Sequence, residues 1–165
     1  MDPGSDTAGS QYSFSSRWHL AAPQEQVWGV FEDLLTADDP FVWWPGMNSE
    51  RRGGEDIHVS AGSPFGYILR FRLHDLVPTP KEQVTLQSDG DLSGHAALRL
   101  RPVDEANSAI DVSWHVDVTP RWMRMASFAL RPVFVMAHDA VMRAGERGLN
   151  AWMLTEQRRD SDPVG

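Results

Sequence analysis

The chain has 165 residues, with 15 Lys and Arg against 23 Asp and Glu, no Cys, 13 Gly, 11 Pro and 7 Trp. That length suits one domain with one continuous core, and the lack of Cys excludes a disulfide scaffold, a thiolate nucleophile and a Cys-ligated zinc. A net charge of −8 repels phosphate backbones and anionic membrane surfaces, which argues against nucleic acid as a partner.

The opening residues MDPGSDTAGSQ hold no basic region followed by an apolar run, so no secretory signal is expected. The most apolar stretch, Met123 to Met142, is interrupted by Arg124, Arg131, Pro132, His138 and Asp139, so membrane insertion is not expected either. A cytoplasmic protein is the expectation. Residues 1–10 and 157–165 are polar and read as mobile tails, which leaves 11–156 as a single domain.

From Tyr12 to Leu20 bulky apolar residues fall on even positions, the pattern of a half-buried strand. Pro23 then suits a first helical position, and Val27, Trp28, Phe31, Leu34 and Leu35 recur at helical spacing. Asp38-Asp39-Pro40 restarts the chain and Trp43-Trp44-Pro45-Gly46 stops it, so a second short helical piece or loop is expected there. Met47 to Arg52 and Asp56 to Ala61 flank Gly53-Gly54, a hairpin signal. Tyr67, Leu69, Phe71 and Leu73 alternate with polar residues until Pro78 and Pro80, which are expected to end that strand.

Gln83 to Ser88 and Asp91 to Arg101 are separated by Asp89-Gly90, a pair that tolerates the positive φ of a tight hairpin turn. Ile110, Val112, Trp114, Val116 and Val118 alternate with polar residues in the clearest strand of the chain. From Pro120 the pattern is helical, with a break expected at Arg131-Pro132 and a helix of about 25 residues running from there to about Gln157. The order implies an α+β fold: a curved antiparallel sheet of six to seven strands, two short helices after the first strand, and a long C-terminal helix covering the apolar face. A cavity between sheet and helix is the default ligand site.

On the last helix His138 falls inside the apolar arc between Phe134 and Met142. A His there is either a core group with one buried partner or a polar contact and proton-transfer group in a ligand cavity. Gly145 and Gly148 share the arc, each costing about 1 kcal/mol of helix stability relative to Ala. Close approach of a strand, or room for a ligand, would compensate. His19, His74, His95 and His115 occupy polar positions of their strands and read as outer-face residues, and no metal-ligand spacing is present, so no metal and no cofactor is expected. No nucleophile elbow, phosphate loop or dinucleotide fingerprint occurs. Of the seven Trp, Trp18, Trp28, Trp44 and Trp114 are suited to line a cavity while their indole N–H groups anchor polar atoms.

Several strings in this order resemble the SRPBCC (START-like) superfamily, and within it bacterial proteins of the polyketide cyclase/dehydrase and lipid-transport type. They are Ala22-Pro23 with Val27-Trp28, Trp43-Trp44-Pro45-Gly46, Ser88 to Gly94, Val112 to Val116, and Arg131-Pro-Val-Phe134 leading through His138-Asp139 to Met142-Arg-Ala-Gly145 and Leu149. The resemblance spans about Tyr12 to Leu154 and implies the helix-grip fold, with a deep cavity lined at Trp28, Tyr67, Phe71, Trp114, Phe134, His138 and Met142. Trp44, Leu69, Leu86, Leu98 and Val116 complete the candidate ligand-binding set. Three functions are expected in turn: binding of a hydrophobic small molecule that is polyketide-, aromatic- or lipid-like; cyclase or dehydratase activity with His138 moving a proton; and ligand sensing through a homodimer or other complex.

Overall fold

A computed structural model describes residues 11–118 and 121–162, with side chains at 122–128 left out. Seven strands form one antiparallel sheet: β1 (Gln11–Leu20), β2 (Met47–Arg51), β3 (Ile57–Gly62), β4 (Ile68–Thr79), β5 (Gln83–Gly90), β6 (Leu92–Pro102) and β7 (Ser108–Val118). Helix α1 (Gln24–Thr36) follows β1 and helix α2 (Arg121–Ser161) closes the chain. The sheet order is β1-β7-β6-β5-β4-β3-β2, so the first strand returns to lie beside the last and every other pair is a neighbour in sequence. The alternation of β1, β4 and β7 sends one set of side chains inward: Trp18, Leu20, Phe71, Leu73, Ile110 and Val116 are all buried.

The larger core cluster joins these strands to Val27, Trp28, Phe31 and Leu34 of α1 and to Met142, Leu149 and Met153 of α2. A smaller one lies under the first half of α2, where Tyr12, Val116, Val118 and Phe134 are buried together. Gly145 and Gly148 explain how α2 seats. A Cβ on Gly145 would stand 2.6 Å from Trp44 Cε2 and 2.8 Å from Trp18 Cζ2, and one on Gly148 would stand 2.2 Å from the Trp43 carbonyl oxygen. The close approach is therefore made by β1 and by the Trp43–Pro45 loop together. Side chains of α2 also satisfy the free edge of β1: the His19 N–H donates to Glu146 Oε1 at 3.0 Å, the Ala21 N–H to Asn150 Oδ1 at 3.0 Å, and Asn150 Nδ2 donates to the His19 carbonyl at 2.9 Å.

Four local expectations are corrected. The second short helix is absent, and 38–46 is a run of turns. Pro40 and Pro45 lack donors, Val42 and Trp44 bond back to Asp39 and Phe41, and the Phe41 N–H is taken by Ser49 Oγ at 3.0 Å. The helix does not break at Pro132 but runs through it and on to Ser161, past the expected end at Gln157. Only one intrahelical donor is lost at Pro132, and the buried Phe134, Ala137 and Met142 hold the helix to the sheet. Pro78 does not end β4. Beyond Leu73 that strand has lost β3 as a neighbour and pairs with β5 alone, so a Pro is tolerated on the open side.

Asp89-Gly90 is not a two-residue turn either. The β5–β6 register closes at Ser88 opposite Gly94, and Asp89 and Gly90 pair instead with Arg72 and Phe71 of β4. Gly90 has φ +107°, and a Cβ there would meet the Arg70 carbonyl oxygen at 2.8 Å. The glycine serves a close strand approach rather than a turn. The expected N-terminal tail, 1–10, lies outside the described residues.

Candidate functional site

Between the sheet and the first half of α2 lies a cavity of about 110 Å³, walled by β1, β4, β7, α2 and the Trp44–Met47 turn. Its lining is almost wholly apolar. Among the expected residues, Trp44, Tyr67, Leu69, Phe71, Trp114, Val116, Phe134, His138 and Met142 come together on this wall. Leu86 and Leu98 do not reach it. They line a second, deeper void of about 70 Å³ with Trp18, Leu34, Ala96 and Val112. Trp28 lines neither void: it is buried against Phe31 of α1, with ring centroids 5.5 Å apart.

Sequence reasoning missed Tyr12 and Phe14, which form the β1 wall of the outer cavity. Their signal was present, because they share the even-numbered face that carries Trp18. Tyr12 stacks on Phe14 at 5.7 Å, and Phe134 meets the edges of Tyr12 and Tyr67 at 6.3 and 6.2 Å. Arg131 lies over the Tyr12 ring, 5.7 Å from its centroid. Trp44 is fixed by a 3.0 Å bond from its indole Nε1 to the Val141 carbonyl. The indole nitrogens of Trp18, Trp43 and Trp114 are buried without a hydrogen-bond partner.

His138 is the imidazole of the cavity wall. Its ring stacks on Phe14 at 4.0 Å with an interplanar angle of 14°, and its side chain is 15% exposed. Burial pushes its pKa below the ordinary imidazole range, opposed in part by Asp139, whose Oδ1 lies 3.7 Å from Nδ1. A 3.7 Å separation is too long for a hydrogen bond. Burial thus favours the neutral form of His138, in which one ring nitrogen can donate and the other accept.

The outer face of the sheet is different in kind. Arg72 pairs there with Asp56 at 2.9 Å and Asp89 at 2.5 Å, and Arg17 with Asp111 at 2.6 Å. His19, His58, His95 and His115 are exposed on it and His74 is half-buried. Among the described residues no group of three or more His, Asp or Glu could hold a metal ion. No helix there is long and apolar enough to cross a membrane.

Neither a protein-family model nor a curated protein matches the chain. Solved structures do. A Thermus thermophilus protein, TTHA0849, superimposes with a TM-score of 0.68 at 14% identity, over 88% of this chain and 99% of that one. The Zhui aromatase/cyclase from a Streptomyces species gives 0.56 at 14% identity, covering 94% of this chain and 98% of its own. A START superfamily protein from Mycobacterium smegmatis gives 0.56 at 12% identity, over 89% and 99%. The fold is the START-like helix grip. Likeness at this identity extends to the fold alone, so what a START-like cavity does in this chain rests on its own residues.

Proposed function

We propose that this START-like chain binds a hydrophobic small molecule, aromatic, polyketide-like or lipid-like, in the cavity between sheet and α2. One observation carries the reading. The wall is almost wholly apolar around a partly open space of about 110 Å³, and apolar surface left facing water there costs about 25 cal/mol per Å². A ligand recovers that cost, and an apolar one does so without stripping water from polar groups. His138 in its neutral form offers the bound molecule one donor or acceptor and no charge.

Titration with N-phenyl-1-naphthylamine, read by energy transfer from the tryptophans of the wall, tests this. Saturable 1:1 binding is expected, weakened at least tenfold by Ala137→Leu and, from the opposite wall, by Val116→Phe. Absence of saturable binding, together with native mass spectra showing no retained molecule, would refute the reading. Native and denatured spectra of gently purified protein also report the class of any compound that travels with it.

A second reading follows from His138 itself: a neutral imidazole in a water-poor cavity can move a proton between two atoms of a bound poly-β-ketone chain, as a cyclase or dehydratase requires. In that case His138→Ala leaves probe affinity within about twofold and abolishes turnover, and unchanged turnover sinks the role. We further propose a cytoplasmic location and, as a reading separate from catalysis, ligand sensing through a ligand-dependent dimer or complex. Cell fractionation and size-exclusion profiles with and without ligand test them.

A further inference from the structure

The outer cavity is smaller than the roughly 300–1,000 Å³ typical of ligand pockets. The second void adds about 70 Å³ and adjoins it through shared lining residues. The two share the same five wall residues, Trp44, Met47, Phe71, Trp114 and Met142. Three of these are held in place. Trp44 is bonded to the Val141 carbonyl and seated on Gly145, and Phe71 of β4 and Trp114 of β7 stand edge to face, 5.4 Å apart. The remaining two are methionines, unbranched side chains with three rotatable bonds that repack at low cost.

We propose that the two voids are one ligand channel parted only by Met47 and Met142, and that its ligand is elongated, with a single polar end beside His138 and a bare hydrocarbon end reaching Leu86 and Leu98. The direction follows from chemistry. Among the described residues the wall's hydroxyl and imidazole side chains, Tyr12, Ser63, Tyr67 and His138, all belong to the outer cavity, whereas the deep one is walled by Leu34, Leu73, Leu86, Ala96, Leu98, Val112 and aromatic neighbours and exposes no polar atom, the indole nitrogens of Trp18 and Trp114 being buried away from its surface. A polar group pushed to the deep end would be desolvated without a partner. A methylene placed there gains about fourfold in affinity, provided the methionines turn aside. Met142 thereby sets how long a ligand is accepted. This inference rests on the binding reading above and specifies the shape of what is bound.

A homologous series of 1-alkanols from four to twelve carbons, displacing N-phenyl-1-naphthylamine, separates the two claims. In the natural chain affinity is expected to rise about fourfold per methylene through the long members. Leu98→Phe and Ala96→Leu, which fill the deep void from different positions of one strand, are expected to stop that rise several carbons earlier while leaving the short members within about twofold. Met142→Ile, stiff at χ1, should penalise the long members more than the short ones. If both filling variants bind the whole series as the natural chain does, the channel is overturned and the outer cavity alone is the site. Failure of the probe and of every alkanol to bind would overturn the binding reading, and the channel with it.

Discussion

Two glycines in helices make opposite predictions for the same substitution. Gly148 lies in α2 and Gly29 in α1, and on helix propensity alone Ala should stabilise either by about 1 kcal/mol. At Gly29 a Cβ meets nothing within 4 Å, so the full gain is expected. At Gly148 it would stand 2.2 Å from the Trp43 carbonyl oxygen and 2.8 Å from Pro45 Cδ, both parts of a rigid loop. Relief requires that loop to back away by about 1 Å, with a packing cost of about 1–3 kcal/mol. The retreat also disturbs the Trp44 bond to Val141, about 1 kcal/mol more. Against the propensity gain, Gly148→Ala should lose about 1–3 kcal/mol net. Urea unfolding followed by far-UV circular dichroism reads both variants on one scale. A Gly148→Ala chain as stable as the natural one would show that the Trp43–Pro45 loop is not seated on α2 as described, and the floor of the cavity would have to be redrawn.

Three further outcomes are expected. Asn150→Ala removes bonds to the Ala21 N–H and to the His19 and Glu146 carbonyls and should cost about 2–3 kcal/mol; faster hydrogen exchange at Ala21 would localise the loss to the β1 edge. Because burial lowers the folded-state pKa of His138, the unfolded chain takes up its proton first as pH falls. Stability supplied by this group is thus complete above the ordinary imidazole value near 6.5 and is lost as pH drops from there toward the lowered folded value. Thermal unfolding of His138→Gln against the natural chain between pH 7.5 and 5 should show this component missing from the variant. Trp44→Phe keeps most of the apolar area but deletes the indole donor to Val141; it should cost about 1 kcal/mol and weaken probe binding, and unchanged values in both assays would remove Trp44 from the wall's rigid part.

The inward faces of β1, β4 and β7 were legible in the sequence because a period of two survives whatever the neighbouring strand is. The helical arc that puts Phe134, His138 and Met142 on one side was legible for the same reason. What escaped depends on registers that no single segment encodes. Asp89-Gly90 has the composition of a hairpin turn, yet it is captured by β4, and nothing in residues 83–94 says that Arg72 waits opposite with its guanidinium. Pro132 and Pro78 were read from local rules, and each was overruled by a longer-range circumstance: burial of the flanking helical face in one case, loss of a neighbouring strand in the other. Trp28 illustrates the converse error. Its size and aromaticity fit a cavity as well as a core, and only its position on α1, packed against Phe31 in the larger core cluster, decides between them.

The division of labour along α2 ties these points to function. Its second half is locked by close packing and by bonds that leave no slack: Gly145 and Gly148 against the tryptophan loop, Glu146 and Asn150 on the β1 edge, Leu149 and Met153 in the larger core, and Gln157 donating to Gln26 at 3.0 Å. Its first half meets the sheet through the smaller cluster around Phe134 and through the stacked pair of His138 and Phe14, and it is here that the void is left. A rigid anchor permits this arrangement. The stability forfeited by an unfilled cavity is supplied by the anchored half, so the other half can face a space shaped for something other than its own side chains. Tightening the first half by filling the cavity should therefore stabilise the fold while abolishing binding, whereas loosening the anchor should weaken both together.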